Sequence, residues 1–127
     1  MVTYHPDILP FNIAVVRVSE FEKMTDWTDD TGQPLKADDG PSLMQGVVIK
    51  GYRKDKELGN ICYSIIAFPS KPDAVTIAHE AFHSACDLLE HVGIHYSRFD
   101  ANEVHAYTIG YIVGCINDAL NKDKVWE

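Results

Sequence analysis

The segment Thr76–Cys86 holds the residues whose types and spacing most clearly indicate chemistry. Within it, His79-Glu80-Ala81-Phe82-His83 forms an HExxH motif in a stretch with helical periodicity. Histidines four residues apart on a helix share one face, with Cβ atoms about 5–6 Å apart, so both imidazoles can bind one metal ion. Glu80 lies about 100° further round the helix, where its carboxylate can take a proton from a water on that metal. The motif therefore predicts a hydrolytic metal centre.

Two histidines do not complete such a centre, because a catalytic zinc site generally has three protein ligands and one open position. Glu103 is our first candidate for the third ligand. It begins a second helical segment beside an apolar stripe, where an unpaired carboxylate would be costly. Asp100 and Glu103 also fit a capping box, in which Glu103 would bond only a backbone amide. Three further histidines are alternative ligands, each of them more simply a surface imidazole: His91, His95 and His105.

Two other polar residues follow the motif on the same predicted helix. Asp87 lies one turn beyond His83, where it is either a hydrogen-bond partner of a metal-binding histidine or, more simply, a solvated surface residue. Cys86 lies on the histidine face, and we interpret it as a core residue rather than a ligand.

Three apolar, β-branched segments predict strands: Phe11–Val18, Met44–Arg53 and Asn60–Phe68. A charged turn ending in Gly59 is expected to join the last two as a hairpin. Two longer segments have the apolar spacing of amphipathic helices, one from about Asp73 to Gly93 and one from Asn102 to Asn121. We therefore predict one α+β domain over residues 1–127, a small sheet of about three strands covered by two long helices.

The apolar stripes predict which side chains meet. The first stripe contains Ala78, Phe82, Ala85, Leu89 and Val92, and the second contains Ala106, Ile109, Val113, Ile116 and Leu120. On a neighbouring arc of the second helix, Glu103 and Tyr107 are followed by Gly110 and Gly114. Glycines four residues apart let another helix approach closely. If the HExxH helix packs there, Glu103 and Tyr107 reach the level of the histidines.

The segment Thr25–Ser42 is rich in Asp, Thr, Gly and Pro and is predicted to be a loop. Its aspartates lack the alternating spacing and central glycine of a calcium-binding loop, so we interpret them as solvated. They are Asp26, Asp29, Asp30, Asp38 and Asp39.

Composition narrows the classes of partner and compartment. The chain has 127 residues, 46% of them hydrophobic and 24% charged, which suits one globular domain. Its formal net charge of −8 argues against nucleic acid or an anionic membrane as the main partner. The three cysteines are widely separated, which favours reduced thiols and a cytoplasmic location. No secretory signal or membrane-spanning segment is evident.

HExxH followed by Glu103-Val104-His105-Ala106-Tyr107 resembles the gluzincin branch of zinc metallopeptidases. The likeness is greatest to minimal stand-alone domains of phages and mobile elements and to small metallopeptidase domains that cleave repressors. It covers about Val75–Asn117 and implies a minimal zincin-like fold with Zn²⁺ as cofactor. It also implies His79, His83 and Glu103 as metal ligands and Glu80 as general base. Tyr107 would orient a ligand or stabilise the oxyanion, although no clear second electrophilic His or Tyr is present.

From these features we expect a cytoplasmic zinc peptidase of narrow specificity that cleaves a protein or peptide substrate. The substrate would lie as an added strand along the edge of Met44–Arg53 or its neighbour. One alternative is a protein-binding module, regulatory and phage-related, in which zinc only stabilises the fold. A further alternative has no metal, with the histidines simply bordering the core.

Overall fold

The computed structural model describes residues 1–7, 12–36, 45–96 and 102–127. Five strands and two long helices form the architecture within these ranges: β1 (Val2–Tyr4), β2 (Asn12–Arg17), β3 (Trp27–Thr28), β4 (Val47–Asp55), β5 (Gly59–Phe68), α1 (Ala74–His91) and α2 (Asn102–Lys122). Short 3-10 helices follow β2 and α2, at Val18–Lys23 and Lys124–Trp126. The predicted α+β class is confirmed.

One mixed sheet has the strand order β1-β2-β5-β4-β3. β2 runs parallel to β5, and the other neighbouring strands are antiparallel. The predicted hairpin is confirmed, since β4 pairs with β5 from Val47 opposite Ala67 to Asp55 opposite Gly59. β2 and β5 are two of the three inner strands, and their near-continuous apolar sequences fit burial on both faces.

Alternate residues of the inner strands supply two hydrophobic clusters, one on each face of the sheet. Ile13 and Val15 pack with residues of α1 and α2, whereas Ala14 and Val16 point to the opposite face. That opposite face is covered by the chain that follows β2. Its buried apolar residues there are Phe21, Met24, Trp27 and Leu35.

The expectation of three strands was too low, because the structure has five among its described residues. β1 has three residues and β3 has two, which is too short to produce a detectable alternation of apolar and polar side chains. β3 lies inside the segment predicted to be a loop. The ends of two predicted strands, at Phe11 and Met44, lie outside the described residues.

The aspartates of the acidic loop were predicted to be solvated, but two of them make specific contacts. Asp29 accepts hydrogen bonds from the backbone N–H groups of Thr31 and Gln33, both at 2.9 Å. These bonds hold the pKa of Asp29 below its usual value, together with a bond from the Thr31 hydroxyl. Asp26 forms an ion pair with Arg53 at 3.5 Å. Asp30 is exposed as expected, and Asp38 and Asp39 lie outside the described residues.

α1 begins where predicted, with the Asp73 carboxylate accepting a hydrogen bond from Thr76 N at 2.8 Å. It ends at His91, before Gly93, whose φ of +84° suits a glycine after a helix. The predicted apolar stripe was displaced by about one residue. Ala85 and Leu89 are buried as expected, but Ala78, Phe82 and Val92 are exposed. The buried residues are Ile77, Glu80, Ala81, Ser84, Ala85, Leu88 and Leu89.

α2 also differs from its predicted packing. Ile116 is buried and Ile109, Val113 and Leu120 are partly buried, but Ala106 is exposed. The expected close approach at Gly110 and Gly114 is wrong: a Cβ added to either glycine would meet no atom of the described residues within 4 Å. The fully buried residues are His105, Thr108, Ile112, Cys115, Ile116 and Ala119.

The topology places α1 alongside β4. α1 returns from the end of β5 and packs on the sheet, so it runs in roughly the same direction as β4, which is antiparallel to β5. A buried hydrogen bond of 2.7 Å between the hydroxyls of Ser64 and Ser84 connects β5 to the middle of α1. No helix within the described residues is long and apolar enough to cross a membrane.

Two glycine-to-alanine substitutions are expected to have opposite effects on stability. A Cβ at Gly51 in β4 would lie 2.1 Å from Cδ1 of the fully buried Ile65, so Gly51→Ala should destabilise the fold by about 1–3 kcal/mol. Gly110→Ala, which adds a methyl group in open space on α2, should stabilise it by about 0.5–1 kcal/mol. Urea unfolding measures both changes. Equal effects of the two substitutions would contradict the packing at Gly51.

Candidate metal centre

The HExxH motif lies in the first half of α1, and helical geometry brings its two histidines together. His79 Nε2 and His83 Nε2 are 3.1 Å apart, and the ring centroids are 4.7 Å apart. His79 has 59% of its side chain exposed, and His83 is also exposed, so both rings are open to solvent. The predicted juxtaposition of these two nitrogens is therefore present.

The spacing of the two nitrogens suits a shared zinc ion. Two nitrogen ligands at about 2.0–2.1 Å from a tetrahedral zinc are separated by about 3.3 Å. The observed 3.1 Å is close to this value. Imidazole nitrogen is also one of the donors that zinc prefers. The two histidines therefore fit zinc in both donor type and distance.

Glu80 lies beside the histidines but on the buried side of α1. It is 5% exposed, and its Oε1 is 3.9 Å from His79 Nε2. The Glu80 carboxylate has no hydrogen bond within the described parts of the chain, and its oxygens are not among the buried unpaired polar atoms there, so they face the solvent of the cleft. A water held at the histidines would be within reach of this carboxylate. The position of this carboxylate is thus a second observation that fits a metal centre.

Gly46, just before β4, makes room for the Glu80 side chain. A Cβ at Gly46 would lie 3.0 Å from Glu80 Cγ and 2.9 Å from Cδ1 of the fully buried Phe68. Only a residue without a Cβ allows the chain to pass this close to both side chains. Gly46 was not recognised from the sequence, because a glycine before a strand has no signal that distinguishes close packing from a turn.

These side chains open into a cleft of about 330 Å³ between α1 and the start of β4. Its lining residues are Gln45, Gly46, Val47, Val48, His79, Glu80, His83 and Asp87. Asp87 was interpreted as a solvated surface residue, but it is half-buried and lines the cleft. Its position one helical turn after His83 accounts for its place in the cleft, although within the described residues it forms no hydrogen bond to either histidine.

The structure does not bring the other two predicted site residues into this cleft. Glu103 is exposed in the first turn of α2. Over the described ranges, no third His, Cys, Asp or Glu joins the histidine pair as a metal-binding group. Tyr107 is 78% exposed and lines a separate cleft of about 650 Å³ with residues near the end of β1. The roles of Glu103 and Tyr107 stay predictions from the resemblance.

The alternative ligands also lie elsewhere. His105 is 1% exposed and packs edge-on against Tyr96, with ring centroids 5.2 Å apart. His95 is exposed, and its Nδ1 lies 4.0 Å from Glu90. His91 lines a small cavity beside Lys50. Cys86 is half-buried, and burial raises the pKa of its thiol, which agrees with a packing role rather than with ligation.

Zinc is expected to stabilise the folded protein through the histidine pair. At a free zinc concentration 100 times Kd, one site should add about 2.7 kcal/mol to the free energy of unfolding. His83→Ala should lose this gain, because one nitrogen donor is removed. His91→Ala, an exposed histidine on the same helix, is the matched control and should retain it. Thermal unfolding with and without zinc measures the difference, and equal stabilisation of both variants would contradict the assignment.

Comparisons with models of known protein families, with curated proteins and with solved structures found no match to this chain. The inference of function therefore depends on the residues and geometry of the cleft.

Proposed function

We propose that this protein is a zinc-dependent peptidase whose active site is the cleft between α1 and β4. The observation that carries the proposal is the pair of imidazole nitrogens 3.1 Å apart with the buried Glu80 carboxylate beside them. A two-layer arrangement in which a motif-bearing helix lies along a β-sheet is consistent with a minimal zincin-like fold. The proposal includes a cytoplasmic location and one zinc ion.

In this proposal the histidines and the glutamate of α1 have different chemical roles. Zinc, when bound, supplies a Lewis acid that polarises a peptide carbonyl and makes water a better nucleophile near neutral pH. His79 and His83 hold it through Nε2. Glu80 acts as general base, taking a proton from the attacking water and donating it to the departing amine. Burial of Glu80 beside Gly46 restricts its side chain, which favours a fixed position for this transfer.

The exposure of both histidines at an open cleft favours a catalytic centre over a structural one. Structural zinc sites are usually closed by four protein ligands, whereas catalytic sites keep a position open. In the parts of the chain that the structure describes, two histidines converge and both are exposed to solvent. The alternative of a zinc-stabilised binding module therefore has less support. Glu103 remains our proposed third ligand, on the basis of the resemblance.

A substrate peptide has a strand edge to bind. β3 pairs with β4 only at Tyr52 and Arg53, and no described strand pairs with the same edge between Val47 and Gly51. The backbone N–H of Lys54 donates a hydrogen bond to Asp26 O at this edge. Because alternate residues of a strand direct their backbone N–H and C=O groups to the same edge, those of Val48 and Lys50 also point to this edge. We propose that the substrate adds there as a strand, beside the histidines. A peptide complex with the ligand away from β4 would contradict this.

Glu80→Gln is the direct test of the reaction. Glutamine has nearly the same shape as glutamate but cannot act as the base, so peptide hydrolysis should fall by at least about 10²-fold. Zinc content should remain equal to that of the unmodified protein, because Glu80 is not proposed as a ligand. Cleavage of a random peptide library and elemental analysis measure the two quantities. Undiminished cleavage by the variant would refute the peptidase mechanism.

Glu103→Ala tests the proposed third ligand. Loss of a carboxylate donor should weaken zinc binding by at least about tenfold. Glu57→Ala is the matched control, since Glu57 is an exposed glutamate in the β4–β5 turn, remote from the cleft. Competition with a chelator of known affinity measures zinc binding for both. If the two variants bind zinc equally well, another donor completes the site.

A further inference from the structure

The candidate cleft continues along α1 as a groove with two distinct ends. At one end, Gly46 packs against Glu80. At the other end, Lys50 and Asp87 line the same small cavity of about 30 Å³. β4 therefore passes along α1 from the catalytic glutamate toward the second half of the helix. A strand added to the outer edge of β4 would follow this direction and would pass Asp87.

Asp87 is a carboxylate without a partner in this groove. It is half-buried, and it lines both the cleft that contains the histidines and the small cavity next to it. Among the residues the structure describes, it has no hydrogen bond and no ion pair. Several titratable side chains lie near it: Cys86, His83, Glu90 and His91 on α1, and Lys50 and Tyr63 across the small cavity.

The charge of Asp87 favours a cationic group on the ligand at its end of the groove. Zinc at the histidines would lie beside Glu80, whereas Asp87 lies one helical turn beyond His83, and the chain as a whole carries a formal net charge of −8. A half-buried carboxylate attracts an opposite charge more strongly than a fully solvated one, because the local dielectric is lower. Lys50 is exposed and forms no ion pair within the described residues, so it leaves Asp87 available to a ligand.

The distances suit a basic side chain on an extended peptide. Asp87 lies four residues after His83, which is about 6 Å along the helix axis. Alternate residues of an extended strand are about 6.6–6.8 Å apart and point to the same face. A peptide bond beside the histidines would therefore place the side chain two residues away at the level of Asp87. Lysine and arginine are the side chains that both reach and pair with a carboxylate.

We infer that Asp87 makes the groove specific for peptides with a lysine or arginine about two residues from the cleaved bond. The inference rests on the proposed peptidase function, because that function places the cleaved bond at the histidines. It names the substrate class: basic, extended peptide segments. Asp87 acts here by contacting the substrate side chain and takes no part in bond cleavage.

The test uses a library of decapeptides with randomised positions, incubated with the zinc-loaded protein. Mass spectrometry of the products gives the residues around each cleaved bond. Lysine and arginine should be enriched about two- to fivefold at the second residue on one side of that bond, a range typical of one partly exposed ion pair. The enrichment should decrease at high ionic strength, because salt screens the pairing.

Two variants of Asp87 separate a specificity role from a structural one. Asp87→Asn, which keeps the shape and removes the charge, should abolish the enrichment while cleavage of peptides without basic residues continues. Asp87→Lys should instead enrich aspartate and glutamate at the same position, a reversal that damaged folding cannot produce. Glu57→Gln is the control, since it changes the net charge equally at an exposed position in the β4–β5 turn.

A second readout does not require turnover. Peptides of the same library retained by the immobilised, zinc-loaded protein are sequenced, again with Asp87→Asn for comparison. Retention of basic peptides without any cleavage, lost in Asp87→Asn, would support recognition of basic side chains by Asp87 and refute the peptidase. Cleavage without basic preference, or with a preference unchanged in Asp87→Asn, would overturn the inference and leave the peptidase intact. Neither cleavage nor selective retention would overturn both.

Discussion

The rotation of α1 on the sheet is the constraint on which the candidate site depends. The buried hydrogen bond between Ser64 and Ser84 and the packing of Ala81 and Ala85 fix which face of the helix meets β5. That rotation buries Glu80 and leaves the histidines exposed at the cleft. A helix turned by 100° in one direction would bury both histidines together with Glu80, and a helix turned by 100° in the other direction would expose Glu80. Core packing and site geometry are therefore consequences of the same contact.

The candidate site also depends on β4, which lines the cleft together with α1. Its hairpin with β5 makes it run beside α1, and the glycine at position 46 lets its first residues approach Glu80. The same strand has an edge that no described strand covers between Val47 and Gly51. β4 thus borders the cleft, and in our proposal the same strand binds the substrate peptide through its edge.

The spacing of residues along the sequence predicted the contacts that form within one helix or one hairpin. The convergence of His79 and His83, the start of α1 near Asp73 and the β4–β5 pairing all follow from short-range geometry, and the structure confirms them. Contacts between distant elements were predicted less well. Phe82 was assigned to the core because it is apolar, yet it is 42% exposed. The packing face of α2 was misjudged for a similar reason, since Gly110 indicated a helix contact that is absent there.

The central claim is that one zinc ion binds between the two histidines of α1. A crystal structure of the zinc-loaded protein, with anomalous scattering recorded at the zinc edge, tests it most directly. The account predicts one anomalous peak about 2.0–2.1 Å from both His79 Nε2 and His83 Nε2, with the Glu80 carboxylate facing the open coordination position. A fully loaded protein whose peak lies away from this pair would contradict the account.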